Sequence, residues 1–212
     1  MIVPTLIGFA GSPWTVATYM VAGQASRQQS EARQLAYEDA KQFAELIQRV
    51  EEVTIDYLSK QIEAGAEAVQ LFDSWAGSLA PAQFEQWVIA PTARITSALK
   101  ARHPDVPVIG FPKGAGGKLA AYARETGVGA IGLDETVDPA WAARELPEDM
   151  PLQGNLDPLA LLAGGEALKN AVRRILDALE GRPHIFNLGH GILQETPIAH
   201  VEELLKLGKG GK

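Results

Sequence analysis

Six times along this chain a short apolar run breaks off into Gly, Pro, Asp or Ser, and a helix-forming stretch follows. No other feature limits the fold so strongly. Strands joined through helices must cross over and run parallel, and a parallel sheet needs those helices to cover it. The last run, His184 to Ile192, closes on a histidine held between two glycines, Gly189-His190-Gly191. A buried strand delivers one polar group to a site in this way, with glycine allowing tight turns or close approach by a ligand. The six strand ends are therefore expected to converge on one pocket, with His190 contributed by the last.

The first strand is expected at Thr5–Ala10, apolar throughout as buried parallel strands are. Ser12 is placed to cap the next helix and Pro13 suits its first turn. That helix runs near Trp14–Val21 and carries Thr18 and Tyr19. A long helix is expected from about Glu31 to Ala64, where Phe43, Leu46, Ile47, Val50, Val53, Tyr57 and Leu58 recur on one face. The second strand, Ala68–Phe72, ends at Asp73-Ser74-Trp75 and precedes a helix over Phe84–Leu99. The third, Val106–Phe111, ends in Pro112-Lys113-Gly114 before a short helix at Leu119–Thr126. The fourth, Ala130–Leu133, ends in Asp134-Glu135-Thr136, and Asp138-Pro139 starts another helix. The fifth, Leu152–Gly154, ends in Asn155-Leu156-Asp157-Pro158. A helix with Leu168, Val172, Ile175, Leu176 and Leu179 on one face then stops at Gly181. After the sixth strand, a last helix runs from Thr196-Pro197 to near Gly208. Two closures satisfy this pattern, an open doubly wound sheet and a barrel. A complete (β/α)₈ barrel needs eight units and typically ~250 residues. Six units in 212 residues fit a barrel without its first two.

Composition narrows the function classes. With 46% apolar and 21% charged residues the chain is an ordinary globular protein, and no Pro/Ser-rich linker or charge block divides it, so residues 1–212 are expected to form one domain. Cysteine is absent, which excludes disulfides and thiolate metal sites. A net charge of −7 argues against a nucleic-acid surface. No charged residue occurs between Met1 and Arg27, but Pro4, Gly8, Gly11, Ser12 and Pro13 cut that run, and no basic segment precedes it. Neither a membrane span nor a signal peptide is expected, and the expected setting is the cytoplasm.

Some motifs mislead. Gly127-Val128-Gly129-Ala130-Ile131-Gly132 spells a dinucleotide fingerprint, yet it follows a helix and enters a strand, the reverse of what pyrophosphate binding needs. Lys113-Gly114-Ala115-Gly116-Gly117-Lys118 lacks the first glycine and the magnesium-binding hydroxyl of a phosphate loop. The histidines His103, His184, His190 and His200 have no zinc-like helical spacing, so no metal is expected. His103 and His200 are most simply solvated. Packing is the simplest reading of Tyr19 by itself. Ser74 follows a buried strand, where it binds a substrate oxygen or caps the next segment. Asp157, before Pro158, reads as a helix cap.

Taken together, Gly8-Phe9-Ala10-Gly11-Ser12-Pro13-Trp14-Thr15 with Thr18-Tyr19-Met20, then Gln70-Leu71-Phe72-Asp73-Ser74-Trp75-Ala76-Gly77, Gly132-Leu133-Asp134, Leu152-Gln153-Gly154-Asn155-Leu156-Asp157-Pro158 and Asn187-Leu188-Gly189-His190-Gly191 closely resemble the uroporphyrinogen decarboxylase family. The resemblance implies a (β/α)₈ TIM barrel, incomplete here with about six parallel strands. It implies a homodimeric carboxy-lyase, without cofactor or metal, that removes the acetate carboxylates of uroporphyrinogen III to give coproporphyrinogen III in haem and tetrapyrrole synthesis. By motif position Tyr19, Ser74 and His190 match the family's pocket tyrosine, hydroxyl and histidine, and Phe72 lies in the strand lining the same pocket.

The family's arginine-rich loop and essential aspartate follow its first two strands, and nothing in this sequence replaces them. No catalytic residue is therefore assigned. The expected molecule is the C-terminal part of such an enzyme, with little activity alone, because desolvated carboxylates need paired cations. The alternatives are a fragment that binds tetrapyrrole without turnover and a corrinoid-dependent methyltransferase relative. The second uses zinc held by cysteine, which this chain lacks.

Overall fold

The computed structural model describes residues 5–24 and 28–208. These fall into two compact units, Met1–Ala130 and Ile131–Lys212.

In the first unit the apolar runs form three parallel strands, β1 (Ile7–Gly11), β2 (Ala68–Asp73) and β3 (Val108–Pro112). β1 pairs with β2 from Ile7↔Ala68 to Gly11↔Phe72, and β2 with β3 from Val69↔Val108 to Asp73↔Pro112. Side chains alternate across this sheet. Gly8, Asp73 and Gly110 turn to the helices, while Phe9, Phe72 and Phe111 share the opposite face. Two of the helix-facing positions are glycine for a reason of space. A Cβ on Gly8 would lie 2.5 Å from Gln61 Oε1, and one on Gly110 would lie 2.6 Å from the Tyr122 hydroxyl.

The helices of this unit are α1 (Pro13–Ala22), α2 (Ser30–Glu38), α3 (Ala40–Glu63), α4 (Pro81–Phe84), α5 (Ala90–Arg102) and α6 (Leu119–Glu125). The single helix expected over 31–64 is two helices. Asp39 leaves helical geometry and its side chain caps α3 by accepting from the Gln42 amide at 2.9 Å. Between α4 and α5 the chain makes a π turn, Glu85–Ile89, just before Pro91. Proline brings no N–H to the ladder, and a widened turn accommodates the gap. The core is aromatic at its centre: Trp14 meets Phe43 edge-on at 5.8 Å, and Phe43 meets Trp87 at 5.0 Å. Ile47, Leu58, Leu71, Ile95 and Leu99 close around them. Beside this core, Glu51 is buried and held by the Arg94 guanidinium through two bonds of 2.6 and 2.8 Å.

One expectation about the long helix fails. Val53 and Tyr57, counted on its apolar face, are 69% and 54% exposed. With Phe9, Val16 and Met20 they line a groove of about 460 Å³ beside β1. Among the described residues β1 pairs with a strand along one side only. On its other side the Gln61 side chain imitates a peptide group: Phe9 N–H donates to Gln61 Oε1 at 2.8 Å, and Gln61 Nε2 donates to Phe9 O at 3.0 Å.

The second unit holds three more parallel strands, β4 (Ala130–Gly132), β5 (Leu152–Gln153) and β6 (His184–Ile185), with pairings Ile131↔Leu152 and Leu152↔His184. The sixth strand is much shorter than its apolar run; only the bridge Leu156↔Leu188 continues the pairing. Its helices are α7 (Pro139–Glu145), α8 (Pro158–Ala163), α9 (Gly165–Ala178) and α10 (Ile198–Gly208). The starts at Asp138-Pro139 and Asp157-Pro158 take the expected form. Asp138 accepts from the Ala140 and Trp141 amides, and Asp157 from the Leu159 amide. Leu168, Val172, Ile175 and Leu179 of the α9 segment are buried as its periodicity requires, and Leu176 is half-buried. Arg182 gathers the carbonyls of Ala143, Leu146, Pro147 and Met150, which fixes the end of α7 and the segment after it.

Candidate functional site

In the first unit the carboxyl ends of β1 and β2 carry three of the four residues singled out. Phe72 is the middle ring of an aromatic row, edge-on to Phe9 at 6.0 Å and to Phe111 at 5.6 Å. The row lies on the sheet face opposite the helices. Period-two alternation places Phe9 and Phe111 beside Phe72 once the register is known, and sequence alone did not supply the register. Ser74 sits in the turn just after β2, half-buried. Tyr19 is 44% exposed on α1, and its ring lies 6.4 Å from that of Trp75, the neighbour of Ser74. Tyr19 thus packs beside the turn that bears Ser74, which follows Phe72 by two positions.

The turn that bears Ser74 is held from α1. Thr15 Oγ1 donates to Asp73 Oδ1 at 2.6 Å, and the Trp75 amide donates to Thr15 Oγ1 at 3.2 Å. Trp14 Nε1 adds a bond to Trp75 O at 3.1 Å. Asp73 is wholly buried. Its burial pushes the carboxyl up to about 7, while hydrogen bonds from the Thr15 side chain and backbone pull the other way without prevailing. Burial likewise holds the Tyr122 phenol far above its usual range, and the nearby Asp73 charge adds to this. The expected side-chain cap from Ser12 is absent: its Oγ is buried with no hydrogen-bond partner. The Ser12 amide is committed to Phe72 O at 2.9 Å, and in the first turn of α1 it is Thr15 that finds a partner, the Asp73 carboxyl.

A second loop supports this turn. The Gly77 amide donates to Lys113 O and the Lys113 amide to Asp73 O, both near 3 Å (2.9 and 3.0). Gly77 and Gly114 touch so closely that a Cβ on Gly77 would lie 2.6 Å from Gly114 O. Lys118 then donates to Leu79 O at 2.6 Å and covers the Phe84 ring. Lys118 thus serves loop structure with its side chain, and Lys113 with its backbone. Gly127, in the left-handed region at the end of α6, precedes β4, which is the order that disqualifies the dinucleotide fingerprint.

His190, the fourth residue, belongs to the second unit and is exposed just beyond the Leu188 bridge. Its loop is anchored where the Gly189 amide donates to Leu156 O at 2.8 Å, and Gly189 packs directly on the Glu135 backbone with no room for a Cβ. Asn155 ties the same region together by donating from Nδ2 to Asp134 O at 2.8 Å and Val137 O at 2.7 Å. Asp134 accepts from the Thr136 amide and hydroxyl, an Asx turn that gives it a structural role. His184, in β6, directs Nε2 at Gly154 O, 2.7 Å away. Among the described residues no three His, Asp or Glu side chains gather as a metal site would require.

Comparison with known proteins covers the same elements. Residues 3–210 match the family model described as uroporphyrinogen decarboxylase. The protein named uroporphyrinogen decarboxylase from Rhizorhabdus wittichii is 70% identical over 206 residues, covering 97% of this chain and 60% of the relative. Its namesake from Novosphingobium aromaticivorans is 67% identical over 206 residues, with the same 97% and 60% coverage. The chain thus spans about 60% of the length of these curated relatives. Among solved structures, a methyltransferase from Methanosarcina mazei superposes with a TM-score of 0.83 at 19% identity, covering 98% of this chain and 60% of that one. The likeness establishes the fold as α/β of the TIM-barrel kind, with six parallel strands among the described residues.

Proposed function

Because this chain belongs to the uroporphyrinogen decarboxylase family, we propose that it is the carboxyl-terminal part of a single barrel domain that decarboxylates the acetate arms of uroporphyrinogen III without a cofactor. The observation that carries the reading is the identity of 70% to a protein of that name across 97% of the chain. The aromatic row of Phe9, Phe72 and Phe111 supports it, since the pyrrole rings of a porphyrinogen pack well against aromatic side chains.

The chemistry asks little of metals or organic cofactors. Protonation of a pyrrole carbon makes the ring an electron sink. The bond between the acetate methylene and its carboxylate then breaks, its electron pair enters the ring, CO₂ departs, a proton is delivered to the methylene carbon, and the ring carbon gives up the proton it first took, which restores the pyrrole. The protein must hold a polyanion, stabilise the developing cation and exclude water. Tyr19 and Ser74 in the first unit and His190 in the second serve as hydrogen-bond donors to substrate carboxylates, and Phe72 offers an apolar ring to the substrate. The cations and the aspartate expected from the family pattern lie in the part that the relatives have and this chain does not span. In this proposal the intact enzyme is a cytoplasmic homodimer. The exposed groove beside β1 fits a fold to which further elements add. Among the described residues no helix is long and apolar enough to cross a membrane.

The test is turnover of uroporphyrinogen III by the purified chain, alone and joined to the upstream segment of a relative. Little or no turnover alone and restored turnover in the joined protein are expected. In the joined protein, His190→Ala and Tyr19→Phe are expected to weaken substrate binding about tenfold each, the loss of one hydrogen bond to a charged group. Full activity of the chain alone would refute its dependence on the missing part. Tetrapyrrole binding with no turnover in either form would favour a binding protein.

A further inference from the structure

The turn Asp73-Ser74-Trp75 joins a buried strand to a site, and one hydroxyl from another element controls both its flanks. Thr15 Oγ1 donates to the Asp73 carboxylate at 2.6 Å and accepts from the Trp75 amide at 3.2 Å. A hydroxyl has one proton to give and lone pairs to receive, so both bonds form at once only with a threonine or serine at this position. Thr15 itself is fixed in the first turn of α1, where Pro13 sets the backbone and Trp14 fastens its indole to Trp75 O at 3.1 Å. Ser74 lies between the two residues that Thr15 grips. Ser74 is thus flanked on both sides by bonds to a hydroxyl 58 to 60 positions earlier in the chain.

We infer that Thr15, acting through Asp73 and Trp75, is a positioning residue for Ser74 and thereby for the tetrapyrrole that Ser74 binds. The substrate half of the inference rests on the proposed function; the positioning half does not. Removing the hydroxyl takes one of two Thr15 bonds from the Asp73 carboxyl, the backbone bond remaining, and leaves the Trp75 amide without its partner, so the turn must seek water or a new conformation. Serine keeps both bonds and loses only a methyl group.

Two measurements decide it, the first on the 212-residue chain and the second, the titration, on the joined protein. In amide hydrogen exchange followed by ¹⁵N NMR, Thr15→Val is expected to speed exchange at Trp75 by about tenfold or more, with Thr15→Ser near wild type. The amides of the Phe43–Leu58 segment should be unchanged in both variants. Unaltered Trp75 exchange in Thr15→Val would overturn the inference, as would an equal rise along the whole Phe43–Leu58 segment. In titration with coproporphyrin III, Thr15→Val is expected to weaken binding about fivefold to tenfold, and this loss should shrink to less than about twofold in a Ser74→Ala background. Equal losses in both backgrounds would mean that Thr15 does not act through Ser74. No binding of coproporphyrin by any version, wild type included, would instead sink the tetrapyrrole reading, leaving the exchange result to judge the positioning by itself.

Discussion

At the scale of single residues, Asp73 carries a large electrostatic anomaly. Its folded carboxyl titrates near 7 against 3.8 for an ordinary aspartate, because burial outweighs the Thr15 bonds. A raised carboxyl costs stability where the unfolded chain has released the proton and the folded chain still holds or must release it. Stability from this group is therefore undiminished below 3.8, falls as pH rises through the window up to about 7, and levels off above it. Asp73→Asn cannot ionise and is expected to gain on the wild type across that window, by on the order of 4 kcal/mol at its upper end. Urea midpoints of both proteins at acid and neutral pH would check this, and a constant difference between them would contradict it. Ser12 shows how a local rule yields to its surroundings. Ser-Pro before a helix reads as a cap, and the backbone takes the capping conformation, but no side-chain bond forms. The partner that decides the matter, Asp73, is 58 residues away from Thr15 and invisible to local pattern.

At the scale of elements, all six strands were legible because apolar runs that end in Gly, Pro, Asp or Ser have few other uses in a chain rich in helix formers. What sequence could not supply was where helices break. The long helix divides at Asp39, whose side chain serves better as a cap than as a helical residue, and the π turn before Pro91 depends on a ladder that only three-dimensional structure displays. Within the candidate site, motif alone pointed to Tyr19, Phe72, Ser74 and His190, whereas Phe9, Phe111 and Thr15 needed the strand register and the packing of α1. Packing of α3 on α5 makes a sharp prediction. Glu51 is buried and Arg94 is its cation. Arg94→Ala is expected to cost about 2–3 kcal/mol because it strands a buried carboxylate, while the pair Glu51→Leu with Arg94→Leu should recover most of that loss. A single substitution that costs nothing in chemical denaturation would show that water already reaches the carboxylate.

At the scale of the whole molecule, the chain spans about 60% of the length of its relatives, and the first unit carries an exposed apolar groove. Phe9, Met20, Val53 and Tyr57 are more than half exposed around one groove, far from the scattered apolar residues of an ordinary surface. The chain is expected to enhance the fluorescence of anilinonaphthalene sulfonate, and Val53→Glu with Tyr57→Lys to remove roughly half of that signal. An unchanged signal would place the dye elsewhere. The same border of the sheet explains why such a chain need not clump. A bare strand flank invites any extended peptide to register with it and grow a fibre. Gln61 occupies the Phe9 amide and carbonyl with a side-chain amide of its own, so an intruding peptide would have to evict a resident that already offers matching bonds. The helix that shields the sheet thus also chaperones its rim, admitting a genuine neighbour that brings enough contact to displace one glutamine and discouraging strangers that do not.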